Sequence, residues 1–238
     1  MSFFREKPPP SGGGSKQPNA PPEKQQLNAQ NFEEGLELLD AKLDESELLR
    51  VVAPIRIICT GGFLAVSYLK SRVSTVDLDY CLDPELYDNE DVKEDIRIAA
   101  ESVAIQLTYP DDWFNDEMTI FTKRSTRPKL FQESLDQGVV LWQGKRLIIY
   151  AIKFEWALET KLRRLSYASA PRNYSIDMSD AVAILNVLVE RNGGQPLDRE
   201  FIRGLNWNGF DVLPTEGTLD AITRTYQQTY NKDGLNRE

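Results

Sequence analysis

Ile55 to Thr60 (IRIICT) is a compact β-rich run that ends on Gly61-Gly62; Phe63 to Lys70 then takes helical spacing, and Ser74 to Leu82 (STVDLDYCL) returns to strand character. Short connections join spatial neighbours, so this order predicts two strands side by side with a tight glycine turn and a short helix between them. A turn of this kind presents backbone N–H groups at a helix N-terminus, where phosphate binds well, and glycine lets an anion approach the backbone closely. The plainer reading is a tight strand-to-helix connection, which favours glycine as well.

The remaining pattern predicts an α+β chain. Residues 1–28 are rich in Pro, Gly, Ser, Asn and Gln and read as a disordered tail, because they bury too little apolar surface to offset ordering. Phe32, Leu36, Leu39, Leu43, Leu48 and Val51 recur at helical spacing, as one broken helix or two short ones, and Pro54 ends them. Pro84 to Asp95 carries six acidic residues, read as a solvated loop and a helix start that runs on through Ile98, Val103 and Leu107. Met118 to Thr122 is a strand candidate. Val139–Trp142 and Arg146–Ile152 flank Gln143-Gly144-Lys145, a hairpin signal. Helices are expected at Lys153–Tyr167, at Ser175–Glu190 with Asn192-Gly193-Gly194 as its cap, and at Thr218–Tyr230. Strands early and helices late give a small mixed sheet flanked by helices at 29–152 and a helical lobe at 153–238.

Composition narrows the chemistry. The 238 residues contain no histidine, which removes Ser-His-Asp and Cys-His catalysis and every metal site that needs imidazole. Two cysteines, Cys59 and Cys81, make no disulfide framework and point to a reducing compartment. No apolar run reaches the ~20 residues that would span a bilayer, and the N-terminus lacks a signal-peptide core, so no membrane partner is expected. The cytosol is the expected address, with the nucleus left open. The net charge of −9 argues against indiscriminate nucleic-acid binding, yet Lys123 to Arg172 holds eleven basic and four acidic residues, a local +7 within a remainder of −16. Such a segment suits an anionic ligand, or simply forms solvated helix faces.

Asp77 and Asp79 stand two apart in the second strand, so both carboxylates project from one face. Paired carboxylates repel and leave water at a cost unless a divalent cation neutralises them; a wet edge strand is the alternative. With the glycine turn on a neighbouring strand, phosphate cradle and metal ligands come together, as nucleotidyl transfer requires.

Gly61-Gly62, a short helix and Asp77-x-Asp79, with Arg72 and Thr75 between, resemble the signature of the DNA polymerase β-type nucleotidyltransferase superfamily, above all the abortive-infection (AbiE-type) toxin nucleotidyltransferases. A second block, FEWALETKLRRLSYASAPRNYSIDMSDAVAIL, places Lys161, Arg172, Asp177 and Asp180 on those relatives' Lys, Arg and Asp-x-x-Asp pattern. One departure is Phe63, where many members carry Ser. The resemblance covers about residues 35–190. It implies Mg2+ or Mn2+ on Asp77 and Asp79, and an NTP held by Thr60, Gly61, Gly62, Arg72, Thr75, Lys161 and Arg172, with Asp177 ordering the site. It also implies a third acid from DDWFNDEMTIFT, which offers Asp116 and Glu117; Asp116 is the choice. The expected activity moves a nucleoside monophosphate from an NTP to a hydroxyl on RNA, protein or a small molecule, and a regulatory protein partner, like the toxins' antitoxins, is possible. A catalytically degenerate nucleotide- or protein-binding module is the alternative, favoured by Phe63. A sugar-nucleotide transferase ranks last, since only about fifty residues separate the tail from Asp77.

Overall fold

The structure, a computed structural model, describes residues 24–167 and 174–236. The expected tail lies outside the described residues up to position 23, but its last part is built into the fold. Leu27–Asn28 form β1, which pairs antiparallel with β3 (Ser74–Thr75), and Leu27 is fully buried. Asn28 also starts α1 (Ala29–Leu43): its side chain accepts from Gln30 N and Asn31 N, and the Asn31 side chain accepts from Asn28 N. Phe32, Leu36, Leu39 and Leu43 form the buried stripe of α1. Ser46 caps the short α2 (Glu47–Val52), so the first helical pattern is two helices.

A five-stranded sheet follows. Its order is β5-β4-β2-β7-β6, with β2 (Ile55–Thr60) central, β4 at Leu78–Leu82, β5 at Phe114–Asn115, β6 at Val140–Gln143 and β7 at Leu147–Ala151. Neighbour β2 runs antiparallel to β4 and parallel to β7, so the sheet is mixed as expected. Alternation along β2 sends Ile55, Ile57 and Cys59 toward α1 and α4 (Glu90–Leu107), while Ile58 faces the other side. That other side is covered by α5 (Arg127–Asp136), α6 (Phe154–Tyr167), α7 (Tyr174–Arg191), α8 (Arg199–Arg203) and α9 (Glu216–Tyr230). Ile58, Cys81 and Ala151 share one core with Leu158, Leu185, Leu219 and Tyr226, so the hydrophobic core runs unbroken across position 152. The helical segment is a layer on the sheet and has no separate core of its own.

Three local differences affect the site. The expected strand 74–82 breaks into β3 and β4, leaving Asp77 just ahead of β4. The expected strand 118–122 is a 3-10 turn (Glu117–Phe121), and the strand sits earlier, at Phe114–Asn115, where it pairs with Leu78 and Asp79. The helix after the glycines is one α-turn, α3 (Gly61–Leu64), continued as a π-turn over Ala65–Leu69. Among the described residues no helix is long and apolar enough to cross a membrane.

Candidate active site

The site lies where β2 ends and β4 begins. Thr60 and Asp79 are directly paired across the two strands. Gly61 has φ +66°, the left-handed region open to glycine, and a Cβ there would stand 2.9 Å from Asp79 Oδ2. Gly62 is required for a different reason: a Cβ would fall 1.9 Å from Thr75 Oγ1 and 2.4 Å from Thr75 Cβ. The double glycine therefore brings the Asp79 carboxylate and buried Thr75 against the turn. Thr60, at the N-cap, makes no side-chain cap bond to the following amides. Phe63 is buried and packs edge-on against Phe32 at 4.9 Å, so it points into the core and supplies nothing to the turn.

Asp79 shares the face of β4 that Cys81 turns toward α5–α7. Burial, then Asp77 and Glu117, push the Asp79 carboxyl up to about 6, while Asn115 and Lys161 pull the other way. Asp77 is raised mainly by burial and then by Asp112; Lys24 and Arg72 oppose this and Glu117 adds to it. Lys24, just ahead of β1, ion-pairs with Asp112 at this edge. The local balance is thus an excess of negative charge.

Glu117, and not the expected Asp116, is the acid whose charge reaches both Asp77 and Asp79. The field of Asp116 acts on Tyr80, Cys81 and Lys93, and it lines a hollow with Lys93, Arg97 and Asp112 on the α4 side. Glu117 is the acid acting on both Asp77 and Asp79, and its N–H donates to Asn115 Oδ1 at 3.0 Å. A strand placed correctly at 114–115 would have put Asn115 level with Asp79 and directed attention to Glu117.

Lys161 occupies a buried ionic cluster. Its Nζ lies 2.8 Å from Asp177 Oδ1 and 2.7 Å from Asp180 Oδ2. Arg72 grips Asp180 with both arms, through Nε at 3.0 Å and a second, short bond, and Ser71 Oγ adds a donor at 3.1 Å. Arg164 Nε reaches Asp177 at 3.1 Å. Burial acts to raise the Asp180 carboxyl, but Arg72 and Lys161 outweigh it and hold it below the ordinary carboxylate range. The cluster ties α6 and α7 to the segment after the glycine turn. An ammonium has three donors, and Asp177 and Asp180 take two of those of Lys161. Arg172 lies outside the described residues.

Among the described residues no three acidic, cysteine or histidine side chains are already gathered as a metal-holding group. No solved structure matches the chain. The alkanal monooxygenase beta chain of Aliivibrio fischeri is 29% identical over 110 residues, which cover 46% of this chain and 30% of that protein. This chain thus spans under a third of that relative's length. A described family matches residues 94–233, a span that contains Glu117, Lys161, Asp177 and Asp180 and begins after the glycine turn and the Asp pair. That match covers more than half of the sequence, and the chain belongs to this family, a domain of unknown function (DUF7582).

Proposed function

We propose that the chain is a metal-dependent nucleotidyltransferase of the DNA polymerase β type, which moves a nucleoside monophosphate from an NTP to a hydroxyl acceptor. The observation that carries this is the packing of Gly61 on the Asp79 carboxylate, with Asp77 and Glu117 adding negative charge beside it. Mg2+ is commonly held by one or two carboxylates plus substrate phosphates, so the Asp77/Asp79 pair fits a hard cation brought with its nucleotide. When bound, Mg2+ or Mn2+ supplies charge neutralisation to the triphosphate.

The chain's own groups take the remaining roles. Amides of the glycine turn, free of a side-chain cap, donate to the outer phosphate oxygens. Lys161 offers its third N–H to the leaving pyrophosphate, and Asp177 and Asp180 hold the ammonium in place. Glu117 accepts the acceptor's hydroxyl proton. The acceptor oxygen bonds to the α-phosphorus, and the bridging α–β P–O bond breaks with its electron pair leaving on pyrophosphate. Thr75, buried against Gly62, shapes the turn, while Arg72, committed to Asp180, orients Lys161.

Calorimetry with ATP, GTP, CTP and UTP, with and without Mg2+, tests the site. The expected result is metal-dependent binding of at least one NTP, lost in the Asp77→Asn, Asp79→Asn double variant. Glu117→Gln should keep binding and lower transfer on the order of 100-fold, with Asp116→Asn unchanged. No binding by the unaltered protein refutes this reading and favours a scaffold that has lost turnover, which the inward-facing Phe63 would suit.

A further inference from the structure

A second surface lies on the helical side of the sheet, built from residues 122–129, Lys153 ahead of α6, Arg163 on α6 and the loop 207–211. Here cations and aromatic rings interleave. Lys129 Nζ stands 4.9 Å and Lys153 Nζ 4.7 Å from the Trp207 ring centre. Arg163 and Lys123 flank the Phe210 ring at 5.1 Å and 5.7 Å. Lys153 is neutralised by Glu133 and Glu155, and Lys123 lies 3.9 Å from Asp211. Lys129 and Arg163 have no ion pair among the described residues, although Arg163 feels the buried Glu159 carboxylate. The loop is held in place: Glu159 Oε2 accepts from Trp207 N at 2.6 Å, and Lys123 N donates to Asn208 O at 3.1 Å.

A second observation falls on the same segments. Thr122 Oγ1, Trp156 Nε1 and Thr160 Oγ1 are each buried with no hydrogen-bond partner. Buried polar groups are nearly always satisfied, so the unpaired Thr122 and Thr160 hydroxyls leave places for further polar atoms, whereas Trp156, 1% exposed, lies in the core beneath. Trp156, Thr160 and Arg163 follow one another at i, i+4 and i+7, along one face of α6.

We propose that this surface binds single-stranded nucleic acid, with Lys129 and Arg163 on phosphates and Phe210 and Trp207 against bases. Cations alone would suit any polyanion; rings set among cations suit a strand that offers both phosphates and flat bases. The two rings lie three residues apart, within about 10 Å along the chain. Lys123 is six positions along from Glu117, at most about 21 Å of chain, so this edge of the surface lies within reach of the carboxylates. Binding here does not depend on transfer chemistry at the Asp pair.

The test is fluorescence anisotropy of a labelled 12-nucleotide poly(U) RNA with the full chain across a salt series. Binding should weaken as salt rises. Lys129→Ala with Arg163→Ala should lower affinity about tenfold and reduce the salt slope by about 1.4. Phe210→Ala should cost on the order of tenfold with the slope unchanged, and Lys129→Arg, which keeps the charge, should bind as the unaltered chain does. Unchanged melting temperatures establish that the variants fold. No binding at low salt overturns the proposal. So does Phe210→Ala without effect while inorganic polyphosphate competes equally, since the surface then reads charge alone, or tighter binding of a poly-glutamate peptide than of RNA.

Discussion

Asp180→Asn probes the buried cluster that holds Lys161. The carboxylate is 1% exposed and receives Lys161, both arms of Arg72 and Ser71. Asparagine keeps the shape but removes the charge and turns one oxygen into a donor facing cations. Lys161 and Arg164 then share Asp177 alone, Arg72 loses the carboxylate it grips, and Lys161 is itself buried. Breaking a buried pair from one side costs roughly 3–5 kcal/mol, because the remaining charge stays desolvated. At about 2–4 °C per kcal/mol for a chain of this size, the melting point should fall by on the order of 6–20 °C. Urea unfolding followed by tryptophan fluorescence measures this, and an unchanged slope shows that only stability moved. The companion is Lys161→Met with Asp180→Leu. It removes one charge of each sign, leaves Asp177 with Arg164, and lets Arg72, which is 21% exposed, turn toward water. That double variant should lie within about 2 kcal/mol of the unaltered chain, better than either single change. A loss below about 1 kcal/mol for Asp180→Asn would refute the reasoning, since a cluster that tolerates it is hydrated.

Gly62→Ala forces a Cβ to 1.9 Å from Thr75 Oγ1 and 2.4 Å from Thr75 Cβ, an overlap that no rotamer of Thr75 removes. It should cost about 1–3 kcal/mol by urea unfolding, and Thr75→Gly in the same chain should recover most of that. Glu159 gives a pH signature, since burial pushes its carboxyl up from an ordinary 4.5 to about 6 against the pull of Trp207 and Asn208 N–H. Between those values the folded state keeps the proton and the unfolded state loses it, so stability should fall as pH rises through the window, by about 2 kcal/mol at 1.36 kcal/mol per unit. Glu159→Gln should flatten that part of the profile in urea unfolding at pH 4.5 and 7; an unchanged profile would place the titration elsewhere.

Local features of the sequence were readable where propensity and chain breakers agree. Strand β2 has the expected bounds, Ile55 to Thr60, because a β-branched run meets two glycines. The hairpin around Gly144 and helices α6 and α7 fall within a residue or so of expectation, since each has a clear period and a clear stop. The glycine turn and Asp79 came together as anticipated, for a strand that reverses across a short turn must lie beside its partner. Other features depended on neighbours distant in the chain. Leu27 is ordered by pairing with Thr75, which composition alone does not show. Helix α5, begun by Pro128, had no expectation, and the real β5 is two residues long, too short to carry a period. Only the pairing of β5 with β4, and the turn that follows it, set which acid's charge reaches both Asp77 and Asp79. Lys161 was legible as a lysine at a helix border, but its seat between Asp177 and Asp180 needed α6 and α7 packed together, because charges far apart in sequence acquire a common fate only when the fold removes water from between them.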